Sequence, residues 1–154
     1  MADQQQNALC LDLGAVTGWA MCTNRILASG TVDFKNNRFE GGGMRYLRFI
    51  RWLEDVRASN PPVCVFFEEV RRHQGTDAAH CYGGFMASLT AWCEEHSIPY
   101  AGVPVGTIKK HATGKGNANK KLMIEAAIAK GHNPADDNEA DAICLSYWAI
   151  EQAA

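Results

Sequence analysis

The first third of the chain alternates short apolar runs with tight polar turns. Residues 8–12 form an apolar run that ends on one acid, Asp12, and residues 18–22 form a second run directly after a threonine. Residues 26–34 supply a third run after an Asn-Arg pair. Short apolar runs separated by turn residues are typical of neighbouring strands. The pattern predicts a three-stranded antiparallel meander, with Asp12 near the end of its first strand.

The middle third has the pattern of a helix, a strand, a second helix and a second strand. Apolar residues recur at three-residue steps over 44–59, and the arginines between them are expected to lie on a solvated outer face. Residues 63–67 are a continuous apolar run, which is typical of a strand buried on both faces. A helix over 78–96 and a strand over 99–105 follow. A strand–helix–strand succession implies a parallel crossover, so the predicted sheet is mixed.

The last third predicts helices. Residues 106–121 read GTIKKHATGKGNANKK, and the glycines at 114 and 116 divide them into two helical pieces. Asn119 is a suitable cap for a helix over 120–130. Residues 142–150 have the composition of a core helix, preceded by turns rich in acids.

These elements define the expected fold class and domain organisation. The class is α/β, with a mixed central sheet of three antiparallel meander strands plus parallel strands, flanked by helices. A chain of 154 residues suits one domain with a real core. We expect a loose polar lead over residues 1–7 and a single domain over residues 8–154.

Composition narrows the class of protein. A hydrophobic content of 47% and a charged content of 21% are ordinary for a globular protein. The formal net charge of −2 argues against binding through a uniformly basic surface, although a local basic patch remains compatible with it. The six cysteines form no CxxC pair, and we expect reduced core thiols. No membrane span or secretion signal is predicted, so the expected location is cytoplasmic.

Four acids occupy positions that a capping role explains only in part. Asp12 and Glu68 each stand at the end of a predicted strand, and Asp137 and Asp141 lie four residues apart on one helix face. Acids near a helix N-terminus also favour its dipole, which is the alternative explanation. If the helix packs across the strands, the four carboxylates meet. Oxygen ligands without histidine or cysteine select Mg²⁺ or Mn²⁺, and two such ions about 4 Å apart hydrolyse phosphodiesters.

Basic residues are concentrated in one segment of the chain. Five of the fifteen lysines and arginines fall within residues 106–121, and two more follow the second acid. Lysines, backbone amides and helix N-termini together suit phosphate groups, while a solvated loop is the alternative. The candidate DNA-binding residues are Arg71, Arg72, Lys109, Lys110, Lys115, Lys120 and Lys121.

Four motifs follow one another along the chain: DLGAVTGW at 12–19, FEEV at 67–70, IKKHATGKGNANK at 108–120 and EADA at 139–142. In this order they resemble the motifs of the RuvC-like Holliday junction resolvases, within the RNase H-like superfamily. The resemblance implies an RNase H-like fold, catalysis by the acids at 12, 68 and 141, and DNA contacts from the lysine segment. It also implies a Mg²⁺-dependent homodimer that binds a four-way junction and makes two symmetric nicks.

Three positions depart from that pattern. The family usually has an acid where Asn138 stands, and Asp137 is our expected replacement, with Asp136 as the alternative. Leu13 stands where the family usually has proline, and Arg71 stands where an aromatic residue usually follows the second acid. Arg71 is expected to contact a phosphate or to stack on a base. These departures indicate a divergent member, of the phage or prophage type.

Three other functions share parts of this pattern. An RNA-processing nuclease of the same superfamily shares the first motif and the late acid, and composition does not separate DNA from RNA. A junction-binding protein without catalytic activity is suggested only by Asn138. An actin-like or sugar-kinase fold also begins with an Asp-x-Gly strand but needs two such domains and a much longer chain.

Overall fold

A central five-stranded sheet organises the computed structural model, which describes residues 6–153. In chain order the strands are β1 (Asn7–Asp12), β2 (Val16–Cys22), β3 (Ile26–Asp33), β4 (Pro62–Glu69) and β5 (Tyr100–Pro104). Their spatial order is β3-β2-β1-β4-β5. β1, β2 and β3 pair antiparallel, whereas β4 pairs parallel with both β1 and β5. The predicted mixed sheet, with its meander and parallel strands, is confirmed.

Five helices cover the two faces of this sheet. They are α1 (Met44–Ser59), α2 (Thr76–Glu95), α3 (Val105–Thr113), α4 (Lys120–Ala129) and α5 (Asp137–Ala153). The predicted N-cap of α4 is confirmed, because the side chain of Asn119 accepts a hydrogen bond from the backbone N–H of Leu122 at 2.9 Å. No helix among residues 6–153 combines the length and the apolar character needed to cross a membrane.

The sheet is buried on both faces, and β1 shows how the sequence achieves this. Leu9 and Leu11 point into a core shared with α1 and α2, which is rich in aromatic residues such as Phe49 and Phe85. Cys10, between the two leucines, points into a second core shared with α3, α4 and α5. Successive side chains of a strand face opposite sides. An uninterrupted apolar run is therefore what a central strand of a three-layer fold requires.

The N-terminal boundary differs slightly from the prediction. Asn7 belongs to β1, where it is buried and pairs with Pro62 of β4, so the strand begins inside the expected lead over residues 1–7. Residues 1–5 of that lead lie outside the described residues. All six cysteines are unpaired, and each is buried or half-buried.

Candidate active site

The ends of β1 and β4 bring two acids side by side. The two strands are parallel neighbours with Leu11 opposite Phe67, so the next residues, Asp12 and Glu68, are adjacent at the same edge of the sheet. Alternation along each strand sets the direction of their side chains. Asp12 follows Cys10 by two and Glu68 follows Phe66 by two, and both of those residues pack in the core beneath α5. Both carboxylates therefore face α5.

Helix α5 supplies the third acid. Asp141 lies one turn into this helix, and each of the acids Asp12, Glu68 and Asp141 offers one carboxylate oxygen, all three within 4.8 Å of one another. The three come from different parts of the chain, and only the packing of α5 across β1 and β4 assembles them. The convergence expected from the sequence is present for these three residues.

Asp137 lies near this group but does not belong to it. It begins α5 one turn before Asp141, and its carboxylate lies 3.6 Å from the ammonium nitrogen of Lys120. Its side chain is 27% exposed, at the rim of the site. Its negative charge nevertheless contributes to raising the pKa of Asp12, Glu68 and Asp141. The fourth acid of the expected set is therefore close enough to interact electrostatically, yet its carboxylate is turned towards a lysine.

Burial and mutual repulsion make the three clustered acids difficult to ionise. Burial, followed by the charges of Glu68 and Asp141, raises the pKa of Asp12 well above its usual range. Burial also raises the pKa of Glu68, and burial with the charges of Glu68 and Asp137 raises the pKa of Asp141 to about 7. Like charges held this close repel unless a cation or a proton lies among them.

One lysine of the basic segment partly offsets this repulsion. Lys109 lies on α3, is half-buried, and its positive charge lowers the pKa of both Glu68 and Asp141. The sequence predicted a phosphate contact for this residue. The structure places its positive charge near the carboxylates, and its contact with phosphate stays a prediction.

Two side chains fix the start of α5 and hence the position of Asp141. Asp136 caps the helix, because its Oδ1 accepts a hydrogen bond from the backbone N–H of Glu139 at 2.9 Å. The buried carboxylate of Glu139 accepts from the hydroxyl of Ser29 at 2.7 Å and from the backbone N–H of Ala135 at 2.9 Å. The first turn of α5 is therefore tied to β3 across the sheet.

A close backbone contact also places α5 over the sheet. Gly18 of β2 stands opposite Asp12 in the strand register. A Cβ atom at Gly18 would lie 1.9 Å from the carbonyl oxygen of Asn138, so the first turn of the helix rests directly on the glycine. Glycine permits this approach because it has no side chain.

The fold of this chain matches solved structures, although its sequence matches no known family. No protein-family model matches the sequence, and no curated protein matches it. Solved structures do match. Thermus thermophilus RuvC in complex with a Holliday junction substrate superposes with a TM-score of 0.79 at 19% identity, over 96% of this chain and 96% of that chain. This chain has the RuvC fold.

Two further solved structures agree with this result. A second Thermus thermophilus RuvC structure gives a TM-score of 0.77 at 18% identity, over 96% of this chain and 97% of that chain. The yeast mitochondrial Holliday junction resolvase Ydc2 gives a TM-score of 0.68 at 13% identity, over 97% of this chain and 80% of that chain. The RuvC fold thus accounts for nearly the whole chain, and the RNase H-like fold implied by the four motifs is confirmed.

The remaining candidate DNA-binding residues lie on the surface of the protein. Arg71 forms an exposed ion pair with Glu69 at 3.1 Å, and Lys121 lies 4.0 Å from Glu125 on the same helix. Exposed pairs of this kind contribute little stability and exchange readily for other partners. Arg72, Lys110 and Lys115 are exposed in the structure. Their role as DNA contacts stays a prediction.

The sequence did not reveal three residues that hold the site in shape. Gly18 was placed correctly at the start of the second apolar run, but nothing in the sequence showed its close contact with a helix about 120 residues later in the chain. The hydroxyl of Tyr82 donates to the backbone carbonyl of Glu68 at 2.7 Å and accepts from the N–H of Val70 at 3.1 Å, which fixes the end of β4. Glu139 alone carried a local signal, since it stands three residues after the capping aspartate.

Asp136 and Asp137, which the sequence left as alternatives for the fourth acid, make different contacts in the structure. We expect Asp137→Asn to reduce metal-dependent cleavage about 10- to 100-fold and to raise the Mg²⁺ concentration needed for half-maximal rate, because Asp137 adds negative charge to the site. Asp136→Asn is the matched control, since asparagine also caps helices well and the acid is occupied as a cap. Single-turnover rates against Mg²⁺ concentration provide the measurement. A larger loss from Asp136→Asn than from Asp137→Asn would assign the role to Asp136.

Proposed function

We propose that this chain is a divalent-metal-dependent endonuclease that nicks branched DNA, with the four-way junction as its main substrate. The observation that carries the proposal is the cluster of Asp12, Glu68 and Asp141 within 4.8 Å at one edge of a RuvC fold. The matching Thermus thermophilus structure holds a Holliday junction substrate, which supports branched DNA as the class of ligand.

The chemistry of the cluster fits a hard divalent cation. Its three converging groups are all carboxylates, and oxygen donors without histidine or cysteine favour Mg²⁺ or Mn²⁺. The raised pKa values of Asp12, Glu68 and Asp141 reflect burial and crowded negative charge, which a bound cation would relieve. We propose that these three acids and Asp137 hold two ions. Such ions supply Lewis acidity, which stabilises negative charge on a phosphate and acidifies water.

The residues of the chain have separate tasks in this proposal. The acids of β1 and β4 are fixed by strand pairing, so their oxygens are preorganised before substrate binds. Lys109 stands beside them and offers its ammonium to the scissile phosphate. Lys120 and Asp137 form a partly exposed ion pair, which a phosphate and a cation would divide between them.

The surrounding basic residues would hold the arms of the DNA. Lys110, Lys115 and Lys121 surround the turn between α3 and α4, while Arg71 and Arg72 follow the end of β4. All five are exposed, as contacts to phosphates should be. Two symmetric nicks require two such sites, so we further propose that the active form is a homodimer.

A cleavage assay in Mg²⁺ tests this proposal. The substrates are a four-way junction, a replication fork, a flap, a linear duplex and a structured RNA, and Asp12→Asn is the control protein. We expect paired symmetric nicks in the four-way junction and none from Asp12→Asn. Equal cutting of forks and flaps would define a broader branched-DNA nuclease. Cutting of RNA alone, or tight junction binding without cutting in Mg²⁺ and Mn²⁺, would overturn the proposal.

The contribution of Lys120 to DNA binding has a measurable salt signature. We expect Lys120→Gln to weaken binding to the four-way junction and to reduce the slope of log affinity against log salt by about one unit, because one phosphate contact is lost. Arg57→Gln is the control, since Arg57 is exposed in the last turn of α1, which leads to the opposite edge of the sheet. An unchanged slope for Lys120→Gln would identify Lys120 as a solvated residue without a phosphate contact.

A further inference from the structure

One aromatic side chain stands almost entirely in solvent. Phe39 lies in the β3–α1 loop (residues 34–43), and it is 92% exposed. The other large apolar residues that are exposed within residues 6–153 reach at most 53%. Single exposed apolar residues are common, but a phenylalanine this exposed forgoes nearly all of its burial energy.

The loop that carries Phe39 is held firmly. The carboxylate of the next residue, Glu40, accepts two hydrogen bonds from the guanidinium of Arg48, at 2.6 and 2.9 Å, and one from the backbone N–H of Asn37 at 2.8 Å. Arg48 also donates to the backbone carbonyl of Lys35 at 3.0 Å. These contacts hold the pKa of Glu40 at about 2. Phe39 is therefore exposed on a loop whose conformation is held by several hydrogen bonds.

The loop emerges at the edge of the sheet that carries the acids. β1 and β3 run in the same direction because each pairs antiparallel with β2, so both end at this edge. The backbone N–H of Phe34, at the start of the loop, donates to the carbonyl of Ala15 in the turn that follows Asp12. The start of the loop is thus anchored to the turn that follows Asp12.

Phe39 is paired with a cation on one side. The guanidinium carbon of Arg38 lies 5.2 Å from the centroid of the Phe39 ring, and Lys35 adds a second positive charge to the same loop. An exposed aromatic face beside basic side chains is the combination that binds unpaired nucleotides, since bases stack on the ring while cations attract the phosphates. A paired duplex offers no free base face, but a branch point does.

We propose that Phe39 stacks on an unstacked nucleobase face at the branch point of the DNA, with Arg38 and Lys35 holding the adjacent phosphates. This inference rests on the proposed function, because it names the part of a branched substrate that the chain recognises. In this inference the β3–α1 loop recognises the branch point. The loop is separate in sequence from both the acids and the lysine segment.

Binding measurements in EDTA test the inference without cleavage. The parent protein, Phe39→Ala, Phe39→Leu and Phe39→Trp are titrated with a four-way junction and with a duplex of matched sequence. We expect Phe39→Ala and Phe39→Leu to bind the junction about 5- to 150-fold more weakly, the range reported for loss of one stacked base. Phe39→Trp should bind as well as the parent, and all four proteins should bind the duplex alike.

A fluorescent base locates the contact. With 2-aminopurine placed beside the branch point, the parent protein should raise its emission by separating it from neighbouring bases, and Phe39→Ala should not. Val63→Ala is the matched control, because Val63 is an exposed apolar residue at the start of β4, on the opposite edge of the sheet. It should leave affinity and emission unchanged.

The same binding measurements distinguish a failure of branched-DNA binding from a failure of the role of Phe39. A parent protein that binds the junction no better than the duplex would count against branched DNA as the substrate. A parent that prefers the junction, together with Phe39→Ala that binds it equally well, would overturn the role of Phe39 alone. Sedimentation measures self-association of the free protein. If Phe39→Ala no longer self-associates, Phe39 belongs to a contact between copies, and its proposed role in DNA binding is overturned.

Discussion

Replacing Asp141 with asparagine is expected to abolish cleavage of branched DNA and, at the same time, to stabilise the metal-free protein at alkaline pH. The two effects have one cause, which is the negative charge that three carboxylates concentrate within 4.8 Å of one another. That charge repels itself in the metal-free protein, and it is also what would hold the cation proposed for cleavage. Asparagine keeps the shape of the side chain but removes its charge. We expect cleavage to fall roughly a thousandfold, since groups that stabilise transition-state charge typically contribute on this scale.

The stability effect depends on pH in a defined direction. The pKa of Asp141 is about 7 in the folded protein against an ordinary value of 3.8. The folded state therefore binds the proton more tightly than the unfolded state does. Stability is highest below about pH 4 and falls as the pH rises towards 7, where the folded carboxyl finally ionises. Above pH 7 the full cost of the buried charge remains.

Unfolding at two pH values measures this effect. At pH 8 in EDTA we expect Asp141→Asn to raise the free energy of unfolding by about 2 kcal/mol, or roughly 4–8 °C in melting temperature, after allowance for partial solvent screening of a half-buried group. Near pH 4 the variant and the parent should differ little. Added Mg²⁺ should stabilise the parent at pH 8 much more than the variant.

A matched control separates charge repulsion from a general effect of removing an acid. Asp55 is an exposed acid on α1, away from the cluster, so Asp55→Asn should change neither cleavage nor the response to Mg²⁺. An Asp141→Asn protein that is less stable than the parent at pH 8 would contradict the proposed repulsion among the three carboxylates. One that still cleaves at the parental rate would remove Asp141 from the active site.

The sequence predicted the acids of the strands because their geometry is local. An apolar run that ends on an acid indicates a strand end, and parallel pairing of central strands places two such ends together, as Asp12 and Glu68 are. Asp141 was predicted from its helix face. Its approach to the strands depends on the contact between Gly18 and α5, which no short-range pattern encodes.

Side-chain direction was the part that the sequence did not determine. Asp137 shares a helix face with Asp141, yet its carboxylate lies beside Lys120 instead of within the cluster. Arg48 was expected to lie on a solvated face, and it does lie at the surface with 29% of its side chain exposed, but the sequence did not show that it forms a two-pronged ion pair with Glu40 eight residues earlier. Both outcomes depend on which partner a long charged side chain finds in the folded protein, which periodicity does not describe.

Gly18→Ala is expected to damage both the fold and the active site. A Cβ atom at this position would lie 1.9 Å from the carbonyl oxygen of Asn138 and 2.3 Å from its carbonyl carbon. These are backbone atoms, so no side-chain rotation relieves the overlap. The first turn of α5 must move, although Glu139 ties it to Ser29 and Asp136 caps it.

Overpacking against a fixed backbone typically costs 1–3 kcal/mol, and we expect Gly18→Ala to lie near the upper end, at about 3 kcal/mol. The displaced helix carries Asp141 away from Asp12 and Glu68. Since misplacement by about 1 Å reduces rates around a hundredfold, cleavage should fall by at least that factor even at temperatures where the variant is folded. Chemical unfolding and single-turnover cleavage at low temperature measure the two effects.

Gly14→Ala provides the matched control, because it makes the same chemical change four residues earlier in the same segment. A Cβ atom at Gly14 would meet its nearest neighbour, the carbonyl oxygen of Val16, at 3.6 Å, which is an ordinary contact. Gly14→Ala should therefore retain most of its stability and cleavage. Equal damage from both substitutions would show that the turn between β1 and β2 needs flexibility. Damage from Gly18→Ala alone would show that the backbone contact with α5 sets the distance between the strand acids and the helix acid.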